Sequence, residues 1–236
     1  MMMSRSNEGR GPLYRVYINR LRRSLDPDSV PKHVAMMIDG NRRWARQLGF
    51  DSPADGHRAG AAKMREFLEW CDEVGVQVVS LYLLSNDNVT KRDSREIADL
   101  IEIIAELADE LSRYRDWKVQ HVGSTAGLPD GLVAVLDAAQ ERTKHNPGMH
   151  VNLAVGYGGR REIVDAVRSI IVAYDQEGGS LEELAASLTP ETIGEHLYTG
   201  GQPDPDLVIR TSGEQRLSDF LLWQSAHSEF YFVEAL

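Results

Sequence analysis

Several stretches of this 236-residue chain gather side chains able to hold an anion or a metal. In the first, an apolar run at residues 33–38 breaks into Asp39, Gly40, Asn41, Arg42, Arg43 and Trp44. An aspartate at a strand end can hold a divalent cation, a glycine lets a ligand approach the backbone, and the free amides that open a helix attract phosphate. Followed by two guanidiniums, which fork onto phosphate oxygens, the run reads as a diphosphate cradle. The competing reading for Asp39 is a helix cap, the commonest task of an aspartate in that place.

The richest stretch is residues 206–229, DLVIRTSGEQRLSDFLLWQSAHSE, which sets Arg210, Arg216 and Ser218 in one polar loop between apolar runs. Guanidiniums this close repel each other unless carboxylates or a phosphate lie between them. Glu214 and Asp219 are the local carboxylates, so a solvated loop of weak ion pairs is the alternative to a bound polyphosphate. Ser85, Asn86, Asp87 and Asn88, with Lys91 and Arg92 behind them, follow a second apolar run; they suit another face of the same anion or an ordinary Asn/Asp turn. His57, in GHRAG, can bond a phosphate, carry a proton or simply pack. The stretch from Gly156 to Arg161 does not match the dinucleotide fingerprint, and the chain has no P-loop; tight packing is the plain explanation of its glycines.

Such residues need elements to position them. Strands are expected at residues 33–38, 76–84, 119–122, 150–155, 206–210 and 220–223, with helices at 59–74, 94–114, 129–144, 160–174 and, as one or two pieces, 181–197. The helix at 94–114 carries Ile97, Leu100, Ile101, Ile104, Leu107 and Leu111 on one stripe. Strands alternating with helices of this length imply crossover connections, hence an α/β domain with a mostly parallel six-stranded sheet. Ligands collect at the carboxyl ends of such strands, which is where the polar stretches fall. This domain is expected to span residues 31–236. Residues 1–30 read as a polar tail and a basic amphipathic helix at 12–25, in which Leu13, Tyr17 and Leu21 sit among arginines, either docked on the body or lying at a membrane interface.

A hydrophobic content of 42% is enough for one sizeable core, and a formal net charge of -10 argues against a nucleic-acid partner, so any anion site must be a local cluster. The single cysteine, Cys71, excludes an internal disulfide and a cysteine metal cluster and fits a reducing cytoplasm. No run approaches the roughly 20 apolar residues that span a bilayer. A cytoplasmic protein is expected, resting at most on a membrane surface.

Taken in order, HVAMMIDGNRRWA, GHRAG, VNLAVGYGGRREIV and DLVIRTSGEQRLSDFLLWQSAHSEFYF resemble the cis-prenyltransferases, the undecaprenyl diphosphate synthase family. They are most similar to its short-chain actinobacterial members, which make Z,E-farnesyl diphosphate. The resemblance implies a homodimer, a hydrophobic tunnel beside the sheet, and Mg2+-dependent condensation of isopentenyl diphosphate with an allylic diphosphate, here geranyl diphosphate. By position, Asp39 resembles the essential aspartate that works with Mg2+, and Glu229 the glutamate that supports the metal site. Gly40, Asn41, Arg43 and His57 resemble the allylic diphosphate site; Arg210, Arg216 and Ser218 resemble the isopentenyl diphosphate site. Asn88 resembles the asparagine linked to proton removal, and Arg42, Trp44, Ser85, Lys91 and Arg92 complete the expected substrate-binding set.

Three departures accompany the match. Pro53 stands where many members have an arginine. In SNDNVTKR, Asp87 replaces a glutamate, Val89 an aromatic residue, and Lys91 or Arg92 must serve for an arginine. The chain stops at residue 236 where relatives continue, so its carboxyl end is expected to be truncated. Leu83 matches a position that is small in long-chain members; facing the tunnel it would end growth at about three isoprene units, because added volume in a packed channel is costly to displace, whereas facing the core it would do nothing of the kind. Two rival readings are a long-chain polyprenyl diphosphate synthase and a non-catalytic partner subunit. A partner subunit typically loses the aspartate and arginines retained here.

Overall fold

A computed structural model describes residues 12–50, 52–91 and 94–235. Residues 1–11 of the expected tail, Arg92, and the side chain of Lys91 lie outside the described residues. Strands β1 (His33–Met37), β2 (Val78–Ser85), β3 (Lys118–Val122), β4 (His150–Tyr157), β5 (Leu207–Arg210) and β6 (Glu229–Phe232) form one sheet in the order β3-β4-β2-β1-β5-β6. Every neighbouring pair is parallel. A parallel sheet is covered on both faces, which is why its strands read as unbroken apolar runs. In β1, Val34 and Met36 join the larger core with α3 (Pro53–Val74), α5 (Ser94–Arg113) and α6 (Asp130–Thr143), while Ala35 and Met37 join a smaller core with Tyr157, Phe220 and Leu221.

The remaining helices are α1 (Pro12–Ser24), α2 (Asn41–Gln47), α4 (Asn86–Lys91), α7 (Gly159–Glu177), α8 (Leu181–Ser187) and α9 (Pro190–Glu195). α1 is tied to α3 by an ion pair between Arg22 and Glu73. Sheet neighbours lie on one side of β1 through β2 and on the other through β5, with Met37 beside Arg210 at their carboxyl ends. The two chain directions diverge there, leaving the crevice in which open α/β sheets bind ligands.

Several expected elements move. Residues 220–223 are not a strand: Ser218, Asp219 and Leu221 have positive φ (49°, 67° and 44°), so the run folds as a turn that buries Phe220 and Leu221 without pairing. The sixth strand is β6, on the sheet edge, where Phe230 and Tyr231 stay exposed and the pattern of burial that marks inner strands is lost. Residues 86–91, read as a turn, are the short helix α4. α3 starts earlier than its apolar stripe, because Ser52 Oγ accepts from Ala54 N at 3.2 Å and Pro53 supplies a first-turn residue with preset φ. Pro53 therefore does a helix-starting job at the first position of α3.

Candidate active site

Asp39 follows β1 and is held from three sides. Its Oδ1 accepts from Gly40 N at 2.7 Å, its backbone N–H donates to Thr211 Oγ1 at 2.9 Å, and its Oδ2 accepts from Arg210 Nη2 at 2.6 Å. Gly40, at φ 98°, turns the chain into α2 in the left-handed conformation that favours glycine. It is Gly40 that occupies the position before α2, with no side-chain bond across the helix end, so Asp39 is not the cap of α2. Partial burial pushes the Asp39 carboxyl up, but the bonds from Arg210 and Gly40 and the charge of Arg210 outweigh it and leave the group below its ordinary value.

Arg210, the last residue of β5, is almost fully buried. Besides Asp39 it bonds Ser218 Oγ at 2.8 Å and the carbonyl of Arg216. Its Nε is buried and has no hydrogen-bond partner among the described residues. The loop it braces is strained, since Ser212, Ser218 and Asp219 all have positive φ, a conformation costing a side-chain-bearing residue ~1–2 kcal/mol. Arg216 pairs with Glu214 but keeps most of its side chain in solvent, and Arg43 Nη2 reaches Ser212 O at 3.3 Å. Asp219 pairs with neither arginine of its own loop; it accepts from Arg160 Nε and Arg160 N, both at 3.2 Å.

A cavity of about 540 Å³ opens between these groups and the helices above them. That volume suits a small organic ligand. Asp39, Asn41, Arg42, His57, Arg160, Arg210, Arg216 and Ser218 line it, together with Ser85 and Asn88 at the start of α4. Leu83 also lines it, alongside Ala61 and Met64 of α3 and Leu100, Ile103, Ile104 and Leu107 of α5. The cavity thus pairs guanidiniums with an aliphatic wall, the two halves of an amphiphilic ligand.

The GHRAG glycines have a packing reason. A Cβ on Gly56 would meet Asn41 O at 2.2 Å, and one on Gly60 would meet Asn41 Oδ1 at 2.7 Å, so both let α2 lie against α3. His57 is buried between them and faces Glu96 of α5 at 3.9 Å, while Arg42 approaches the same carboxylate at 3.6 Å. Ser85 Oγ accepts from Asn88 N at 3.1 Å, fixing the start of α4.

Among the described residues, four of the expected set do not line the cavity: Gly40, which forms the turn into α2, Arg43, which reaches the Ser212 carbonyl, Trp44 and Glu229. Trp44 stacks on Phe50 with ring centroids 5.6 Å apart instead of lining the cavity. Glu229 opens β6 opposite Leu207, whereas Arg210 pairs with Phe232 at the far end, so within one chain Glu229 sits at the other end of the sheet from Asp39. Its place in a metal site shared with Asp39 is not met by this chain alone. Among the described residues no three His, Cys, Asp or Glu side chains converge as a cation cage. Asp39 instead stands beside an anion cradle, with Asp87 and Asp219 elsewhere on the cavity wall; a carboxylate so placed suits Mg2+, which usually takes one or two carboxylates together with substrate phosphates and water.

Tyr82, Tyr157 and Arg160 also line the cavity, and residue type and spacing do not mark them, or Glu96 beside His57, as belonging to the site. Tyr82 donates to Ser218 O at 3.1 Å and stacks on Phe220 at 4.6 Å, so it braces the strained loop from β2. Its signal in sequence is only a tyrosine within an apolar strand. The stripe on α5 was legible, and Leu100, Ile104 and Leu107 of that stripe become cavity wall.

The undecaprenyl diphosphate synthase family model matches residues 37–236. A (2Z,6E)-farnesyl diphosphate synthase of Thermobifida fusca is 56% identical over 223 residues, covering 94% of this chain and 87% of that protein. Isoprenyl transferase 1 of Streptomyces avermitilis is 52% identical, covering 94% and 86%. The crystal structure of lavandulyl diphosphate synthase from Lavandula x intermedia, in complex with dimethylallyl diphosphate, superposes with a TM-score of 0.80 at 33% identity and 89% coverage of both chains. With the all-parallel sheet and the arginine-lined crevice at the ends of β1 and β5, these likenesses place the chain plainly: it belongs to the undecaprenyl diphosphate synthase family of prenyltransferases.

Proposed function

We propose that this enzyme joins isopentenyl diphosphate to geranyl diphosphate through a new cis double bond, giving (2Z,6E)-farnesyl diphosphate. The observation that carries the reading is the two-part cavity, with Asp39, Arg42, Arg210 and Arg216 on one side and a short aliphatic wall including Leu83 on the other. The names of the actinobacterial relatives support the same product.

In this reaction the allylic carbon–oxygen bond breaks, the terminal alkene carbon of isopentenyl diphosphate bonds to the allylic carbon, and a proton leaves the adjacent carbon. Negative charge develops on the departing diphosphate. Asn41, Arg42 and Arg43, with the amides that open α2, hold that group; preorganised donors of this kind stabilise developing charge without reorganising. Arg210, Arg216 and Ser218 hold the second diphosphate and set its alkene beside the allylic carbon, removing most of the entropic cost of the encounter. His57, on the cavity wall and facing the Glu96 carboxylate that Arg42 also approaches, steadies the allylic diphosphate end, and Asn88, also on the wall, serves the loss of the proton. Asp39 would hold Mg2+ together with phosphate oxygens, and the ion when bound supplies Lewis-acid neutralisation of the departing diphosphate.

A homodimer and a peripheral membrane contact belong to the same reading. The second is supported by the exposed Tyr17, Leu21 and Leu25 at α1. Light scattering and vesicle sedimentation read these two.

The deciding experiment is product analysis by mass spectrometry with Mg2+, isopentenyl diphosphate, and geranyl or farnesyl diphosphate as primer. A fifteen-carbon product from geranyl diphosphate, with little turnover of farnesyl diphosphate, is expected. Leu83→Ala, which widens the cavity, should lengthen the product by one or more units. Long polyprenyl products from the wild-type enzyme would sink the short-chain reading, and unchanged products from the variant would remove Leu83 from it.

A further inference from the structure

The turn that carries Ser218 is kept against its own backbone preference, and its fastenings are visible. Tyr82 Oη donates to Ser218 O at 3.1 Å, Gly159 N donates to Asp219 O at 2.7 Å, and Leu221 N donates to Tyr157 Oη at 3.2 Å. The last of these is built deepest. Tyr157 is fully buried, its ring fixed edge-on against Tyr82 and Phe220 at centroid distances of 6.0 and 5.8 Å. Its hydroxyl also donates to Oε2 of Glu162, itself only 1% exposed. Oε1 of Glu162 accepts from Tyr198 N at 2.9 Å and from Gln224 Nε2 at 3.1 Å. A buried carboxylate is tolerated when its lone pairs are filled in this way, and a group so held has one orientation to offer.

We infer that Tyr157 and Glu162 are positioning residues for the isopentenyl diphosphate end of the site: the phenol, oriented by the carboxylate, fixes the Leu221 amide and, through the strained turn, sets Ser218 and the Arg210 guanidinium bonded to it. The inference rests on the function proposed above. Two links make the chain of contacts short. Leu221 lies in the same turn as Ser218, and Ser218 Oγ is one of three groups that aim Arg210, the others being the Asp39 carboxylate and the Arg216 carbonyl. A phenylalanine at 157 would preserve the ring contacts and core volume yet leave both the Leu221 amide and Glu162 Oε2 without that hydroxyl.

Steady-state kinetics of Tyr157→Phe test this. KM for isopentenyl diphosphate should rise about tenfold, the loss of roughly one hydrogen bond's worth of alignment, while kcat and KM for geranyl diphosphate stay within about twofold of wild type. A wild-type KM for isopentenyl diphosphate, or equal losses for both substrates as general loosening of the fold would give, overturns the inference. Should Tyr157→Phe not fold, Glu162→Gln decides by the same split, since it keeps the shape and an acceptor for Tyr198 and Gln224 but withdraws the acceptor from Tyr157. A wild-type enzyme that turns over neither substrate overturns the proposed function and this inference with it; a wild-type-like variant in an active preparation overturns the inference alone.

Discussion

Asp39 and Arg210 hold each other across 171 residues of sequence, and the pair sets what mutation of either will do. The Arg210 side chain is only 4% exposed, so removing its carboxylate partner leaves a buried guanidinium short of an acceptor, an arrangement more damaging than removing both charges together. Asp39→Asn keeps an oxygen for Arg210, whereas Asp39→Ala keeps none. Both variants should lose activity by about a thousandfold or more, as expected when charge stabilisation at the leaving group goes. Only the alanine variant should also lose about 1–3 kcal/mol of stability. Paired kinetic and denaturant titrations separate the two effects; a fully active Asp39→Asn enzyme would refute the assigned role. That Asp39 and Arg210 stand together at the carboxyl ends of strands was legible in sequence, since one follows an apolar run and the other closes one. That Arg210 is largely engaged by Asp39, Ser218 and the Arg216 carbonyl was not, because hydrogen-bond partners far apart in sequence are fixed only by strand order.

At the scale of elements, the junction of α2 and α3 is the clearest dependence of site on scaffold. Gly56 admits the Asn41 backbone, and no flexible group stands at the point of closest approach. Gly56→Ala gains a little helix propensity but forces the two helices apart, so the expected net result is destabilisation of about 1–3 kcal/mol and a raised KM for the allylic diphosphate, read by thermal melting and initial rates. An unchanged KM would mean that the Asn41–Arg43 segment is not positioned by this contact. The same scale shows where sequence patterning failed. FLLW looks like a strand because it is apolar, yet positive φ at three of the residues around it makes pairing impossible, while the edge strand EFYF, half exposed, lacks the burial that announces a strand. The Asn/Asp-rich start of α4 suggested a turn, and one bond from Asn88 N to Ser85 Oγ was enough to help launch a helix instead.

For the molecule as a whole, buried neutral histidines make acid destabilising. His33, His121 and His150 are all held below the ordinary imidazole value of 6.5 by burial, His150 at about 4. Below pH 6.5 the unfolded chain takes up protons that the folded chain refuses, so stability should fall from there to about pH 4, where the folded imidazole of His150 also protonates. Asp39 acts in the same direction at lower pH: its folded pKa lies below the ordinary 3.8, so its contribution is present above that value and lost as pH falls through the folded one. Melting curves across this range should show a decline that begins near pH 6.5; a flat profile down to pH 4 would contradict neutral buried imidazoles. The strand order has a further, kinetic consequence. β1 can pair with β2 as soon as the intervening helices form, but its other edge stays open until β5 arrives from near the end of the chain. Such late, non-local closure is slow and leaves a sticky intermediate, so recovery of activity on refolding should track the slowest phase and worsen with protein concentration, the enzyme becoming competent only when its last strands are laid down.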